Sequence, residues 1–168
     1  TQTNVSNFPG INSTAPYFQI RTNVSKSRTY GAELLTEINW IKLFTNKEAT
    51  KRLTTFLNLS TIDARYVSSD EPAYDNKKVE LVPPVTVRIG LSVGNDKFSA
   101  SYQFSYVNEH YSDATNAVTH PHGIVGLIPS YNVMDISLKY SINKFQFEGG
   151  INNLTNRSYF TRRATGYP

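Results

Sequence analysis

Three short stretches carry side chains that could do chemistry. His120-Pro121-His122 sets two imidazoles at i and i+2, a spacing that invites a metal. A zinc site needs at least one more protein ligand, and only Asp113 or Glu109 could fold back to supply it. The pair therefore reads as exposed loop histidines that could meet a ligand, with no metal implied. Arg162-Arg163 offers two adjacent guanidinium groups, which fork carboxylates and phosphates bidentately and so suit an anionic ligand. Glu109-His110 reads as an interface or loop contact. No stretch pairs a base with a nucleophile, so the sequence implies no catalytic residue, no cofactor and no enzyme. Arg162, Arg163, His120 and His122 are the candidate ligand-binding residues of a binding protein.

The elements that must position these residues are strands. Of 168 residues, 11 are Tyr and 9 are Phe, beside one Trp, one Met and no Cys. A chain rich in Tyr, Asn, Ser and Thr favours strands and polar loops over helices. Without cysteine, neither a disulfide framework nor a thiolate metal site can form. The net charge of +4 is mild and its Lys and Arg are scattered with no run of five, which argues against a nucleic-acid partner. No window approaches the ~18 consecutive apolar residues of a transmembrane helix. A β-barrel needs only alternate residues to be apolar.

Period-two alternation runs through six segments. In Lys97–Val107, Phe98, Ala100, Tyr102, Phe104 and Tyr106 share one face and Ser99, Ser101, Gln103 and Ser105 the other. Pro84–Gly94, Tyr131–Ser141, Phe145–Asn153 and Ala32–Ile41 repeat the pattern. Arg52–Asp63 is noisier, because Phe56 and Ile62 fall on the polar side. Gly94-Asn95-Asp96 and Asn143-Lys144 read as tight turns, Thr45–Lys51 as a medium connection, and Ser68–Leu81 and Ser112–Ser130 as long loops. Thr1–Pro16 reads as the tail of another long loop.

Short turns at one end and long loops at the other are the layout of an outer-membrane barrel. A soluble antiparallel sandwich also alternates. The polar face favours the barrel: it is closer to the small, neutral polar groups mixed with charges of both signs that line a lumen than to the many Lys and Glu of a water-facing sheet. Strands of about ten residues and aromatics near their ends (Tyr30, Trp40, Phe44, Tyr66, Tyr111, Tyr131, Phe145, Tyr159) fit a membrane wall with interfacial girdles. The six Asn-x-Ser/Thr sequons, at Asn4, Asn12, Asn23, Asn58, Asn153 and Asn156, read as accidents of composition.

Several segments resemble the C-terminal end of TonB-dependent receptors, particularly the ferric dicitrate receptor group. Ser27-Arg28-Thr29-Tyr30-Gly31-Ala32-Glu33-Leu34 is similar to an S-R-x-x-G-x-E-L strand entry. Leu81-Val82-Pro83-Pro84, Tyr111-Ser112-Asp113-Ala114-Thr115-Asn116 and Gly126-Leu127-Ile128-Pro129-Ser130-Tyr131 resemble strand and loop boundaries of the group. Gly149-Gly150-Ile151-Asn152-Asn153-Leu154-Thr155-Asn156-Arg157-Ser158-Tyr159-Phe160 resembles the G-x-x-N-L-x-D-x-x-Y signature, with Asn156 where Asp is usual.

The resemblance implies an all-β chain, an antiparallel transmembrane β-barrel segment contributing six strands to a barrel of about 22. It implies that residues 1–168 form a partial receptor barrel, without the plug domain and the final strand. By that layout the six are the sixteenth to twenty-first strands, and Arg162 and Arg163 stand at the extracellular mouth. Implied function is uptake of a ferric chelate such as iron–citrate or another siderophore across the outer membrane of a Gram-negative bacterium. Implied partners are the chelate, the plug and remaining strands, TonB acting through the plug, and outer-membrane lipid with lipopolysaccharide. Cobalamin or oligosaccharide cargo, or a soluble β-sandwich binding module, are the alternatives.

Overall fold

The computed structural model describes residues 25–45, 50–69, 72–119, 121 and 123–163. His120, His122 and the Thr1–Pro16 segment lie outside them. Six strands form one antiparallel sheet: β1 (Ser25–Asn39), β2 (Arg52–Ser69), β3 (Val85–Gly94), β4 (Phe98–Val107), β7 (Tyr131–Ile142) and β8 (Phe145–Ile151), in that spatial order. Two further short strands, β5 (His110–Tyr111) and β6 (Leu127–Ile128), pair within the loop between β4 and β7. All six expected strands are present.

Register explains why the sequence alternates. Residues directly opposite one another in an antiparallel pair share a face. Leu57 faces Ile89, Ile89 faces Phe104, and Phe104 faces Met134. One row along, Thr55, Leu91, Tyr102, Ile136 and Ile151 cross five strands on the same face. The opposite face carries rows such as Thr54-Ser92-Ser101-Ser137-Gly150. A one-residue slip anywhere would exchange these faces, so each strand's pattern fixes its neighbour's register.

Among the described residues, nothing covers the apolar face. Phe98 is 40% exposed, Leu138 50% and Phe147 61%. Among the described residues the buried hydrophobics are Ala64 and Ile128 alone, and both lie at the long-loop end. The sheet is a single layer, so a sandwich, whose apolar faces meet in a dry centre, is not its architecture. From the Leu59-Val87-Tyr106 row to the Ile142-Phe145 row, β7 advances from Asn132 to Ile142. At ~3.4 Å per residue and a tilt of ~45°, that is about 24 Å along the membrane normal, matching the ~25 Å apolar band of a barrel.

The noisy strand has a packing reason. Phe56 lies on the polar face opposite Gly90, and its ring fills the space a Gly90 Cβ would take. Gly150 also marks a close approach, since a Cβ there would stand 2.7 Å from the Ile136 carbonyl oxygen. Gly149 has open space on its side, so crowding relief at the paired glycines belongs to Gly150 alone.

Two boundaries differ from expectation. The first strand stops at Asn39, and Trp40–Thr45 turn into one short helix, α1. Asn39 caps it by accepting a hydrogen bond from the Lys42 amide at 3.1 Å, and Trp40 and Phe44 stack one helical turn apart. The Trp40 indole N–H donates to Thr55 Oγ at 2.9 Å and pins the turn to β2. At the other end β1 and β2 run past the alternating segment, to Ser25 and Ser69, across a register shift at Lys26/Ser27.

Candidate functional site

The polar face and the long-loop end are where a ligand can be met. The expected turns lie at the opposite end. Asn95 closes one by accepting from the Lys97 and Phe98 amides, both at 2.9 Å. Asn143 closes the other in the left-handed region (φ 53°). Asn tolerates that region better than most residues because its short side chain can bond locally.

Near the long loops, the polar face holds a cleft of about 520 Å³ lined by Glu33, Asn58, Arg88, Tyr131, Asp135 and Tyr159, among others. Arg88 stands between Asn58 and Ser105 in register, with no ion pair among the described residues. Tyr131 and Tyr159 stack with centroids 4.5 Å apart and form one wall. Asp135 accepts a hydrogen bond from the Asn153 amide at 2.8 Å, which ties the cleft floor to the segment after β8. Towards the short turns, Lys139 and Glu148 pair across strands at 3.4 Å.

The segment after β8 owes its shape to asparagines. Asn153 (φ 53°) accepts from the Arg157 amide and donates to the Arg157 carbonyl, both at 3.0 Å. Asn156 (φ 48°) donates its amide to the Asn153 carbonyl at 2.8 Å. With Asn156 in place of the usual Asp, the turn keeps a residue suited to the left-handed region.

The turn delivers Arg162 and Arg163 to the loops with different surroundings. Arg162 is exposed. The Arg163 guanidinium donates to the Leu127 carbonyl at 3.2 and 2.9 Å and to the Gly123 carbonyl at 3.0 Å, and lies 5.1 Å from the Phe160 ring. Arg163 thus fastens the β4–β7 loop to the chain after β8. Arg163→Ala should free that loop at a local cost of about 1–3 kcal/mol, since hydrogen bonds to a charged donor exceed neutral ones. The check is limited proteolysis of the protein: faster cleavage between 112 and 130, with the strands still protected.

Further ties hold the loops. Asn116 (φ 55°) accepts from the Lys78 amide at 2.7 Å and donates to the Lys78 carbonyl at 2.8 Å, so the two long loops are stitched together. Ser112 and Gly126 exchange hydrogen bonds beside the β5–β6 pair. His110 is buried there (6% exposed) with Nδ1 3.0 Å from the Asn108 carbonyl, a loop contact as expected. Beyond the apolar band on β2, the Tyr66 phenol donates to Glu80 at 2.6 Å. Burial, then Glu80, pushes its pKa up to about 12, so it remains a neutral donor. Among the described residues, no three His, Asp or Glu side chains converge on a metal position.

The family described as TonB dependent receptor-like, beta-barrel, matches residues 2–154. The chain belongs to this family. Its sheet is similar to the crystal structure of the ferric citrate transporter FecA in the unliganded form, with a TM-score of 0.72 over 83% of this chain. Identity is 15%, which supports the fold alone, and the chain spans about a fifth of that transporter, 21% of its length. No curated protein sequence matches. Matched family and similar structure are receptors and transporters, and a single-layered antiparallel sheet with one apolar face is a segment of such a receptor's barrel wall.

Proposed function

We propose that this chain forms wall and long loops of an outer-membrane receptor that imports a ferric chelate. One observation carries the reading: a six-stranded layer whose apolar face is uncovered and whose polar face holds a cleft beneath the loops. Hydrocarbon satisfies the first face and an aqueous lumen the second. Six strands are too few to close a barrel, for which about eight is the practical minimum. Open edges in lipid would leave backbone groups unpaired at several kcal/mol each. The receptor therefore includes further strands flanking β1 and β8, and a plug through which TonB acts. Residues 1–168 would all belong to the barrel in a Gram-negative outer membrane, with the long loops outside the cell.

For cargo, an iron–citrate complex is anionic, and Arg88 in the cleft and exposed Arg162 above it suit carboxylates. Arg163 serves by holding the loop, and His120 and His122 belong to that same loop. The similar transporter carries ferric citrate, which makes that chelate the first to test. A strain lacking the receptor, complemented with the intact gene, should take up radiolabelled iron from ferric citrate only while TonB is present. Arg88→Ala with Arg162→Ala should cut that uptake about tenfold or more, through lost charge-assisted contacts. Unchanged iron uptake on deletion, with loss of cobalamin or oligosaccharide uptake instead, would move the cargo and leave the architecture.

A further inference from the structure

The outward face carries a second chemistry just beyond the apolar band. On β1, Lys26, Arg28 and Tyr30 alternate onto the same face as Leu34. Arg28 stands directly opposite Arg65 on β2, and Arg65 directly opposite Lys78. Three cations thus lie side by side across neighbouring chain segments, one row further from the apolar band than Tyr30, about 7 Å along the strand.

The Arg65–Lys78 pairing is the close kind. Its flanking hydrogen bonds run from Tyr66 N to the Lys77 carbonyl and from Val79 N to the Ala64 carbonyl, so the pair itself exchanges none. Like charges directly opposite in that geometry repel. Local anions answer only part of the charge. Asp63 accepts hydrogen bonds from Tyr30 and Arg65, and these, the Tyr30 bond first, hold its carboxyl below the usual range. Glu80 is engaged by Tyr66. Arg28 lies over the Tyr30 ring at 5.3 Å and makes no ion pair among the described residues; Lys78 makes none either, though its charge helps to hold the Asp63 carboxyl low, so one carboxylate is shared by Arg65 and Lys78. Lys78 is held in place by Asn116, so the row is fixed on both sides.

We propose that Arg28, Arg65 and Lys78 form a binding site for the phosphorylated headgroup of an outer-leaflet glycolipid, lipopolysaccharide, whose acyl chains lie along the apolar band below. The occupant must join a phosphate to several acyl chains, because the same face supplies cations in one row and exposed Leu34, Ile89 and Leu91 beneath. Arginine forks phosphate oxygens, and lysine adds a point charge. Tyr30, between row and band, sits where an aromatic ring meets the membrane interface. The site rests on the barrel reading, and its orientation fits the long loops facing outward.

The test uses the full receptor in detergent, with heat-modified mobility as the measure of a folded barrel and titration into lipopolysaccharide nanodiscs as the measure of binding. R28A/R65A/K78A should weaken lipopolysaccharide binding about a hundredfold, from three interfacial cations together. R28A alone should weaken it several-fold in a barrel that still folds, and R28K should restore most of it. Enzymatically dephosphorylated lipopolysaccharide should bind wild type no better than intact lipopolysaccharide binds the triple variant. Equal binding of intact and dephosphorylated lipid, or no loss in R28A, overturns the proposal. So does displacement of the lipid by millimolar inorganic phosphate, which would mark a small-anion site. A receptor that stays monomeric and folded without detergent would instead remove the barrel reading beneath it.

Discussion

Leu138→Arg should cost the receptor about 2–4 kcal/mol of folding stability in a bilayer, the depth-dependent penalty for a cation on the lipid face of a barrel near its midplane. Leu138 faces Ala100 and Gly149 on the apolar face, half exposed, near the middle of the band between the Leu59-Val87-Tyr106 row and the Ile142-Phe145 row. Its neighbour in sequence, Ser137, points the other way beside Ser101 and Gly150. Ser137→Arg should therefore change stability by no more than about 0.5 kcal/mol, as surface substitutions generally do. Denaturant unfolding from lipid vesicles measures both. A contrast of this sign is what one face in hydrocarbon and the other in water requires. Equal penalties at the two positions would mean that both faces share one environment.

A second large effect belongs to the Phe56–Gly90 contact. Gly90→Ala should destabilise by about 1–3 kcal/mol, the range for forcing extra volume into a packed site. The new methyl would meet the Phe56 ring itself rather than a flexible chain end. Removing the ring first should remove the conflict, so Gly90→Ala in a Phe56→Ala background should be near neutral. The double-mutant cycle should then show a coupling of about 1 kcal/mol or more, as expected for residues in contact. Additive single effects would mean that the ring rests elsewhere.

Phe56 also shows what a sequence can and cannot display. Alternation located all six strands because each exchanges faces residue by residue, and lipid and lumen enforce that exchange in every strand. Phe56 broke the pattern, since its reason for facing the lumen is a glycine 34 positions further on. Trp40 continued the alternation but folds with Ile41 into α1, because Asn39 is a strong helix cap and Thr55 offers the indole a partner across the hairpin. Beyond Tyr30 and Asp63 the two longest strands leave the apolar band. Charged residues then occupy the outward face, and nothing in their polarity separates strand from loop. The β5–β6 pair is two residues long on each side, too short for any period to register.

At the candidate site, residue type was informative and location was not. Guanidinium chemistry singled out Arg162 and Arg163 together, yet their surroundings part them. Arg163 reaches carbonyls 36 and 40 positions back, and no local spacing announces such a contact. Arg88 lines the cleft with no ion pair among the described residues. Its place on the polar face of β3, between Asn58 and Ser105, was the signal that could have found it.

A wall one side chain thick, with Ala64 and Ile128 as its buried hydrophobics among the described residues, has a calorimetric consequence. In a water-soluble domain, melting transfers apolar groups from a protein interior into water, and the heat-capacity increment records it. Here the same groups begin in contact with amphiphile and can remain there once the strands separate. Heating the receptor in micelles should therefore give an endotherm with little baseline step, and its midpoint should follow the acyl length of the detergent more closely than any change behind the cleft.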